Sequence, residues 1–264
     1  MMTDCFTFKK NIRESFDKYV SDYDISDDRV ALKVEHTYRV ADISEDIGKT
    51  IHGLTDDDIE LCWFLGMLHD IGRFEQLKQY GTFLDAESVD HAELGADILF
   101  NDKLIDTFIT DSVSDMEKNA ERHLVEVAIR NHNKLFISDG LSEKEKMFSN
   151  ILRDADKIDI FRVVTEIPFE VRMTKADDVN GKPARDEVMQ CVREHRCVPR
   201  LSDKTSFESH IAGCAMAFEL VFPRSIDIAR EQGYIRELLS YEPGNDAQKE
   251  QMDELRNEMS SFIE

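Results

Sequence analysis

The stretch Leu61–Phe74 reads LCWFLGMLHDIGRF, an almost unbroken apolar run that ends on a histidine and an aspartate. A helix that is apolar on most of its faces has to lie inside the protein, so the rest of the chain must pack around this segment. A carboxylate carried into such surroundings is costly unless an opposite charge compensates it. His69 and Asp70 therefore need partners, and a metal ion is the simplest partner that suits both. The question for the remaining sequence is whether it supplies further ligands.

Thr55 followed by Asp56, Asp57 and Asp58 opens the buried segment with an N-cap and acids against the positive end of the helix dipole. Gly72 is expected to close it. Upstream, residues 1–26 are helical in part, with Phe6, Ile12, Phe16 and Val20 on one side. From about Asp27 to Ile47, Leu32, His36, Val40, Ile43 and Ile47 form a single helical stripe, and Gly48 and Gly53 mark a turn. Downstream, residues 75–90 read as a loop or short helix, and residues 91–100 as a helix with His91, Leu94, Gly95, Ile98 and Leu99 on one face. Residues 104–116 are ambiguous. Residues 120–132 carry an inward stripe of Leu124, Val125, Ala128, Ile129 and His132, broken by NHNKLFISDG. Ser142 and the acids after it start a helix through ILRDADKIDIFRVV, with Phe148, Ile151, Leu152, Ala155 and Ile158 inward.

Pro168 to Pro199 is less regular, with a turn at NGKP, residues 180–183. Thr205 to Leu239 reads as one or two helices kinked at Pro223. After Gly244, Met252, Leu255, Met259 and Phe262 recur at helical spacing in a final helix that packs on the body or on a second subunit. No run alternates as a strand would, and no repeat is visible. Only 5 prolines and 11 glycines in 264 residues fit long helices with few tight turns. The chain reads as all-α, a single domain over residues 1–264.

A net charge of −22 repels nucleic acid and anionic membrane, so neither is an expected partner. No stretch approaches the ~20 apolar residues of a membrane span, and MMTDCFTFKK lacks the apolar run of a signal peptide. The 5 cysteines are odd in number and form no CxxC pair, which points to reduced thiols and a cytoplasmic setting. An anionic substrate would need the local field reversed, which a metal ion does well.

A lone histidine on an apolar face is more often a core residue satisfied by one hydrogen bond. Here four of the 8 histidines, His36, His69, His91 and His132, lie in line with apolar stripes on four different helices. Asp70 and Asp156 join them at the edges of buried faces. Imidazole together with carboxylate suits Zn, Fe, Mn, Ni or Co, whereas Mg or Ca would favour oxygen ligands alone. Adjacent helical residues point about 100° apart. His69 and Asp70 can therefore share one ion only if the helix is distorted there, unless Asp70 bridges two ions with its two oxygens. The remaining histidines have simpler readings: His52 caps a helix end, His123 and His195 sit among charges, and His210 faces inward without a motif around it.

The series His36 in EHTYRVA, His69-Asp70 in LGMLHDIGRF and Asp156 in RDADKID resembles the HD superfamily of metal-dependent phosphohydrolases over roughly residues 30–165. The resemblance implies an HD-domain-like helical bundle with additional C-terminal helices over about residues 166–264. It also implies a metal held by His36, His69, Asp70 and Asp156. Asp156 is preferred to its rival Asp154 because the family's ligand directly precedes the basic residue of that motif. A subset of the family has two further histidines that complete a larger site, and His91 in DHAELGADIL and His132 in RNHNK stand where those would lie. The GYP-containing stretch of cyclic-dinucleotide phosphodiesterases is missing, so that activity is not supported.

The function implied is hydrolysis of a phosphomonoester or phosphodiester of a small nucleotide-like metabolite. The attacking water would be activated by one or two divalent transition-metal ions, which in a two-ion centre lie about 3.5–4 Å apart. Asp70 is the candidate to orient that water and accept its proton, and Arg73 to clamp the substrate phosphate; Arg153 and Lys157 are weaker candidates for the same clamp. The alternatives are a non-catalytic metal- or ligand-binding scaffold and, further off, an HD-type di-iron oxygenase.

Overall fold

The computed structural model describes residues 5–108, 115–166, 181–199 and 203–262. Among these residues the regular structure is helical, with no strand and no helix long and apolar enough to cross a membrane. The fold is all-α, as the periodicity predicts. The contacts fall into two compact units, Met1–Asp156 and Lys157–Glu264.

The first unit contains α1 (Cys5–Val20), α2 (Asp28–Lys49), α3 (Asp56–Leu68), α4 (Ile71–Tyr80), α5 (His91–Ala96), α6 (Asp115–Asn131) and the first part of α7 (Glu143–Glu166). Helix α3 is the expected buried element: every residue from Cys62 to Leu68 is inaccessible or nearly so. Its start is the predicted cap, with Thr55 Oγ1 accepting from Asp58 N (3.2 Å) and Asp58 Oδ2 accepting from Thr55 N (3.1 Å).

The apolar stretch is not one helix closed by Gly72. Helix α3 stops at Leu68, His69 keeps helical angles, and Asp70 leaves them at φ −105°, ψ 18°. A new helix, α4, then starts at Ile71 and continues to Tyr80, so residues 75–80 are helix and the loop begins only at Gly81. Gly72 lies in the first turn of α4 and serves packing: a Cβ there would sit 2.2 Å from the His91 carbonyl oxygen and 2.6 Å from Gly95 N. The missing side chain lets α5 lie directly on α4. Gly66 does the same between α2 and α3, where a Cβ would fall 2.4 Å from Ala41 Cα.

Helix α5 ends after six residues in a π turn, Asp97–Asn101. Of the ambiguous stretch 104–116, a 3-10 turn covers Leu104–Thr107, α6 begins at Asp115, and residues 109–114 lie outside the described residues.

The second unit contains the end of α7 with α8 (Asp186–Arg193), α9 (Ser206–Ala215), α10 (Pro223–Gln232), α11 (Tyr234–Leu239) and α12 (Asp246–Glu258). The segment expected as one or two helices kinked at Pro223 is three, because Pro223 opens α10 at its first turn, where its missing N–H costs nothing. Met252, Leu255, Met259 and Phe262 are buried within this unit. Of the irregular stretch 168–199, residues 168–180 lie outside the described residues.

Candidate metal centre

All six predicted ligands converge inside the first unit. His36 comes from α2, His69 from the end of α3, Asp70 from the break between α3 and α4, His91 from the first position of α5, His132 from the turn after α6, and Asp156 from α7. They form two adjoining triads, His36–His69–Asp156 and Asp70–His91–His132, within each of which the potential ligand atoms lie within 4.8 Å of one another.

Asp70 joins the triads. Its Oδ2 lies 3.5 Å from His36 Nε2 and 3.4 Å from His69 Nε2, while Asp156 Oδ1 lies 3.1 Å and 3.7 Å from the same two nitrogens. Its Oδ1 lies 3.5 Å from His91 Nε2 and 3.8 Å from His132 Nε2. The break at Asp70 is the local distortion needed for adjacent residues to face a common centre. One half of the centre thus has four donors and the other three, with a single carboxylate spanning both.

The histidines are held by their far nitrogens. His69 Nδ1 donates to the Gly66 carbonyl (2.7 Å), His132 Nδ1 to the Ile129 carbonyl (2.7 Å), and His91 Nδ1 to the Asp85 carboxylate (2.8 Å). Such bonds fix the tautomer and leave the Nε2 lone pair free for a metal. Burial lowers the pKa of His91, and it takes His132 down to about 3 with help from the neighbouring His91 and His69. Both rings are therefore neutral, yet His91 Nε2 and His132 Nε2 are only 3.0 Å apart. Two lone pairs facing each other at that distance repel unless a cation lies between them. Burial opposes charge on Asp70, but Lys33, His69 and Arg73 outweigh it and hold the carboxyl well below its ordinary range. Asp156 is held down in the same way, against burial, by His36 and His69. Burial also opposes charge on His69, but Asp70 and Asp156 raise its pKa overall. Imidazoles and ionised carboxylates, buried and convergent, are a donor set that fits divalent transition metals.

Asp154, the rival of Asp156, is buried but stands in neither triad. Arg73 lies beside the centre, its Nε 3.6 Å from Asp70 Oδ1, but its Nη1 is directed to Gln76 Oε1 (2.8 Å), the Phe83 carbonyl (2.6 Å) and Asp85 Oδ1 (2.9 Å). Lys157 pairs with Glu219 at 3.2 Å. Arg153 points to the carbonyls of Asn131, Lys134 and Leu135. His210 Nε2 donates to the Leu238 carbonyl of its own unit (3.0 Å). His123 and His195 are exposed and pair with Glu145 and Glu258.

Sequence reasoning missed two residues at the centre. Lys33 Nζ lies 2.7 Å from Asp70 Oδ2. Its position one turn before His36 on α2 was the available signal. Asp85, in the loop before α5, anchors His91 and is itself held by Arg73 and Gln76; nothing in the local sequence marks it. A third acidic grouping, Asp85–Asp90–His91, is already furnished with donors: Asp90 takes Lys134 Nζ (2.6 Å), Asn133 Nδ2 (2.7 Å) and the α5 backbone.

An all-helical domain whose histidines and aspartates converge from six places on a carboxylate-bridged pair of triads defines a class of metal-binding domain. Residues 34–162 match the family model of the HD domain, a span that contains every one of these donors, and this part of the chain is a domain of the HD superfamily. That superfamily is generally one of metal-dependent phosphohydrolases, and its domains bind divalent metals. No curated protein and no solved structure matches the chain.

Proposed function

We propose that the chain is a metal-dependent phosphohydrolase that cleaves a phosphomonoester or phosphodiester of a small nucleotide-like metabolite. The observation that carries this reading is the Asp70 carboxylate, which offers one oxygen to each triad. When bound, two divalent ions would supply Lewis acidity toward a phosphoryl oxygen and a water of lowered pKa. His36, His69, Asp156 and Asp70 Oδ2 would hold one ion; His91, His132 and Asp70 Oδ1 would hold the other. Neutral His91 and His132 bind without first having to lose a proton.

Asp70, at the junction of the two halves, would orient the attacking water and is the candidate to take up its proton. Lys33 Nζ, on the outer lone pair of Asp70 Oδ2 and partly exposed, is a point charge within reach of the phosphoryl oxygens. It joins Arg73 as a phosphate clamp, and with Nη1 of Arg73 tied to the Asp85 network the lysine is the freer of the two. The substrate is small and anionic, since the overall charge of −22 disfavours a nucleic-acid polymer.

The test is a panel of phosphomonoesters, nucleotides and cyclic nucleotides assayed with manganese, iron or zinc against wild type and Asp70→Ala, with metal content measured alongside. Turnover that needs metal and disappears in Asp70→Ala is the expected result. Metal binding without turnover on any ester would leave a binding scaffold. Iron-dependent oxygen consumption would replace the reading with an oxygenase.

A further inference from the structure

The three-donor half of the centre depends on a histidine that is not on a helix. Helix α6 ends at Asn131, and His132 lies in the turn that follows. The last carbonyls of any helix lack intrahelical donors, and a chain end so placed frays unless something caps it. The cap here comes from α7. Arg153, itself buried, sends Nη1 to the Asn131 carbonyl (3.0 Å) and to the Lys134 carbonyl, and Nη2 to the Leu135 carbonyl (3.1 Å). Its planar fork thus grips the backbone directly before His132 and again two and three residues after it, with the cationic charge at the negative end of α6. Asn131 closes the same turn from the other side: its Oδ1 accepts from Ser138 N and Oγ (2.9 Å each), and its Nδ2 donates to the Val127 carbonyl (2.8 Å).

Arg153 also stands three residues before Asp156 on α7, so one turn of helix carries both a donor of the four-donor half and the cap that fixes a donor of the other half. From this juxtaposition we propose that Arg153 is a positioning residue that holds His132 in place and thereby decides whether the centre takes its second ion. The proposal rests on the two-ion reading above. In the four-donor half, His69 is held by the Gly66 carbonyl and Asp70 by Lys33, both outside the 131–135 turn, and only the ring of His69, 5.3 Å from that of His132, and Asp70 Oδ1 touch it, so loss of Arg153 should weaken that half less than the other.

The experiment titrates metal-stripped protein with manganese(II) alone, resolving ion number and affinity for wild type, Arg153→Met, Arg153→Lys and Asn131→Ala. Wild type is expected to take two ions. In Arg153→Met the weaker ion should lose affinity by about 10–100-fold, the range for loss of an outer partner of a metal ligand, while the tighter ion changes less than about threefold. Arg153→Lys, which keeps the charge but not the fork, should fall between. Asn131→Ala should show the same split to a smaller degree, and it serves in place of Arg153→Met if that variant does not fold. Equal weakening of both ions, or of neither, overturns the proposal and leaves Arg153 as a general structural residue. A wild type that takes fewer than two ions overturns the two-ion reading, and the proposal with it; that outcome is recognised before any variant is compared.

Discussion

Gly66→Ala tests how finely the helix packing sets the centre. A Cβ on Gly66 would meet Ala41 Cα at 2.4 Å, Ala41 N at 2.6 Å and the Val40 carbonyl carbon at 2.9 Å, all of them backbone atoms of α2. No side chain can swing aside, so α2 and α3 must part. Ordinary contact begins at 3.4 Å, so the helices separate by about 1 Å, the kind of shift that overpacking forces on a core. Gly66 is three residues before His69, and Ala41 five after His36, so the wedge opens close to the centre. His36 Nε2 and His69 Nε2 now stand 3.3 Å apart, and a metal site tolerates ligand distances only within about 0.2 Å.

Overpacking of this kind costs about 1–3 kcal/mol, and a backbone clash belongs at the upper end. The helical gain of alanine over glycine offsets roughly 0.5–1 kcal/mol. A net loss of about 2 kcal/mol lowers Tm by roughly 4–8 °C in a chain of this size. The assay is thermal unfolding of metal-stripped protein, repeated with saturating manganese. Gly66→Ala should unfold earlier and also show a smaller metal-induced rise in Tm. Gly213→Ala, in α9 where a Cβ meets nothing within 4 Å, should be neutral or slightly stabilising by the helical gain alone. A Gly66→Ala protein with wild-type Tm and a wild-type response to metal would refute the argument that this contact sets the ligand spacing.

Three further outcomes follow from the same geometry. Removing metal with a chelator should lower Tm by on the order of 10 °C, because an ion at a thousand times its Kd contributes about 4 kcal/mol; scanning calorimetry with and without chelator checks it. Asp85→Ala removes the acceptor that orients His91 through Nδ1 and should weaken metal binding about 10–100-fold, read by competition with a chromophoric chelator. Glu208→Gln should destabilise the second unit by about 2 kcal/mol, since Glu208 is buried and its carboxylate takes Arg185 Nε at 2.7 Å and Nη2 at 3.0 Å. Burial pushes the Glu208 pKa up, but Arg185 outweighs it and the folded value is lowered. Its stabilisation is therefore present above the unfolded value near 4.3 and lost as pH falls below that value through the folded one. Denaturant midpoints at pH 7 and pH 3 should differ less for the variant than for wild type.

The parts of this protein that were legible in its sequence are those governed by local rules. Thr55 with its acids marks the start of α3, the run to Leu68 marks a buried helix, and each of the four histidines lies in register with an apolar stripe that the structure buries. The candidate ligands could be picked out because they occupy short motifs. Gly72 was misread because its local rule, that glycine ends helices, gave way to a distant one: α5 approaches α4 so closely that only glycine fits. Asp85, and the contact of Arg153 with the turn at Asn131, were invisible for the same reason. Asp85 acts on His91 from within a loop, and Arg153 reaches across 22 residues to the turn at Asn131. Neither spacing has a period.

Such a centre needs more than its donors. The donors alone do not make it, because neutral His91 and His132 at 3.0 Å repel and would drift apart on a loose scaffold. What keeps them together is the set of residues with no motif: Asp85 behind His91, Arg153 around His132, and the side-chain-free surface of Gly72 that lets α5 reach Asp70. Those residues act through hydrogen bonds and packing within the chain itself, so part of the cost of bringing the donors together is met in folding. A chain that kept all six donors but lost these supports would keep the family's motif and lose the second half of its metal centre.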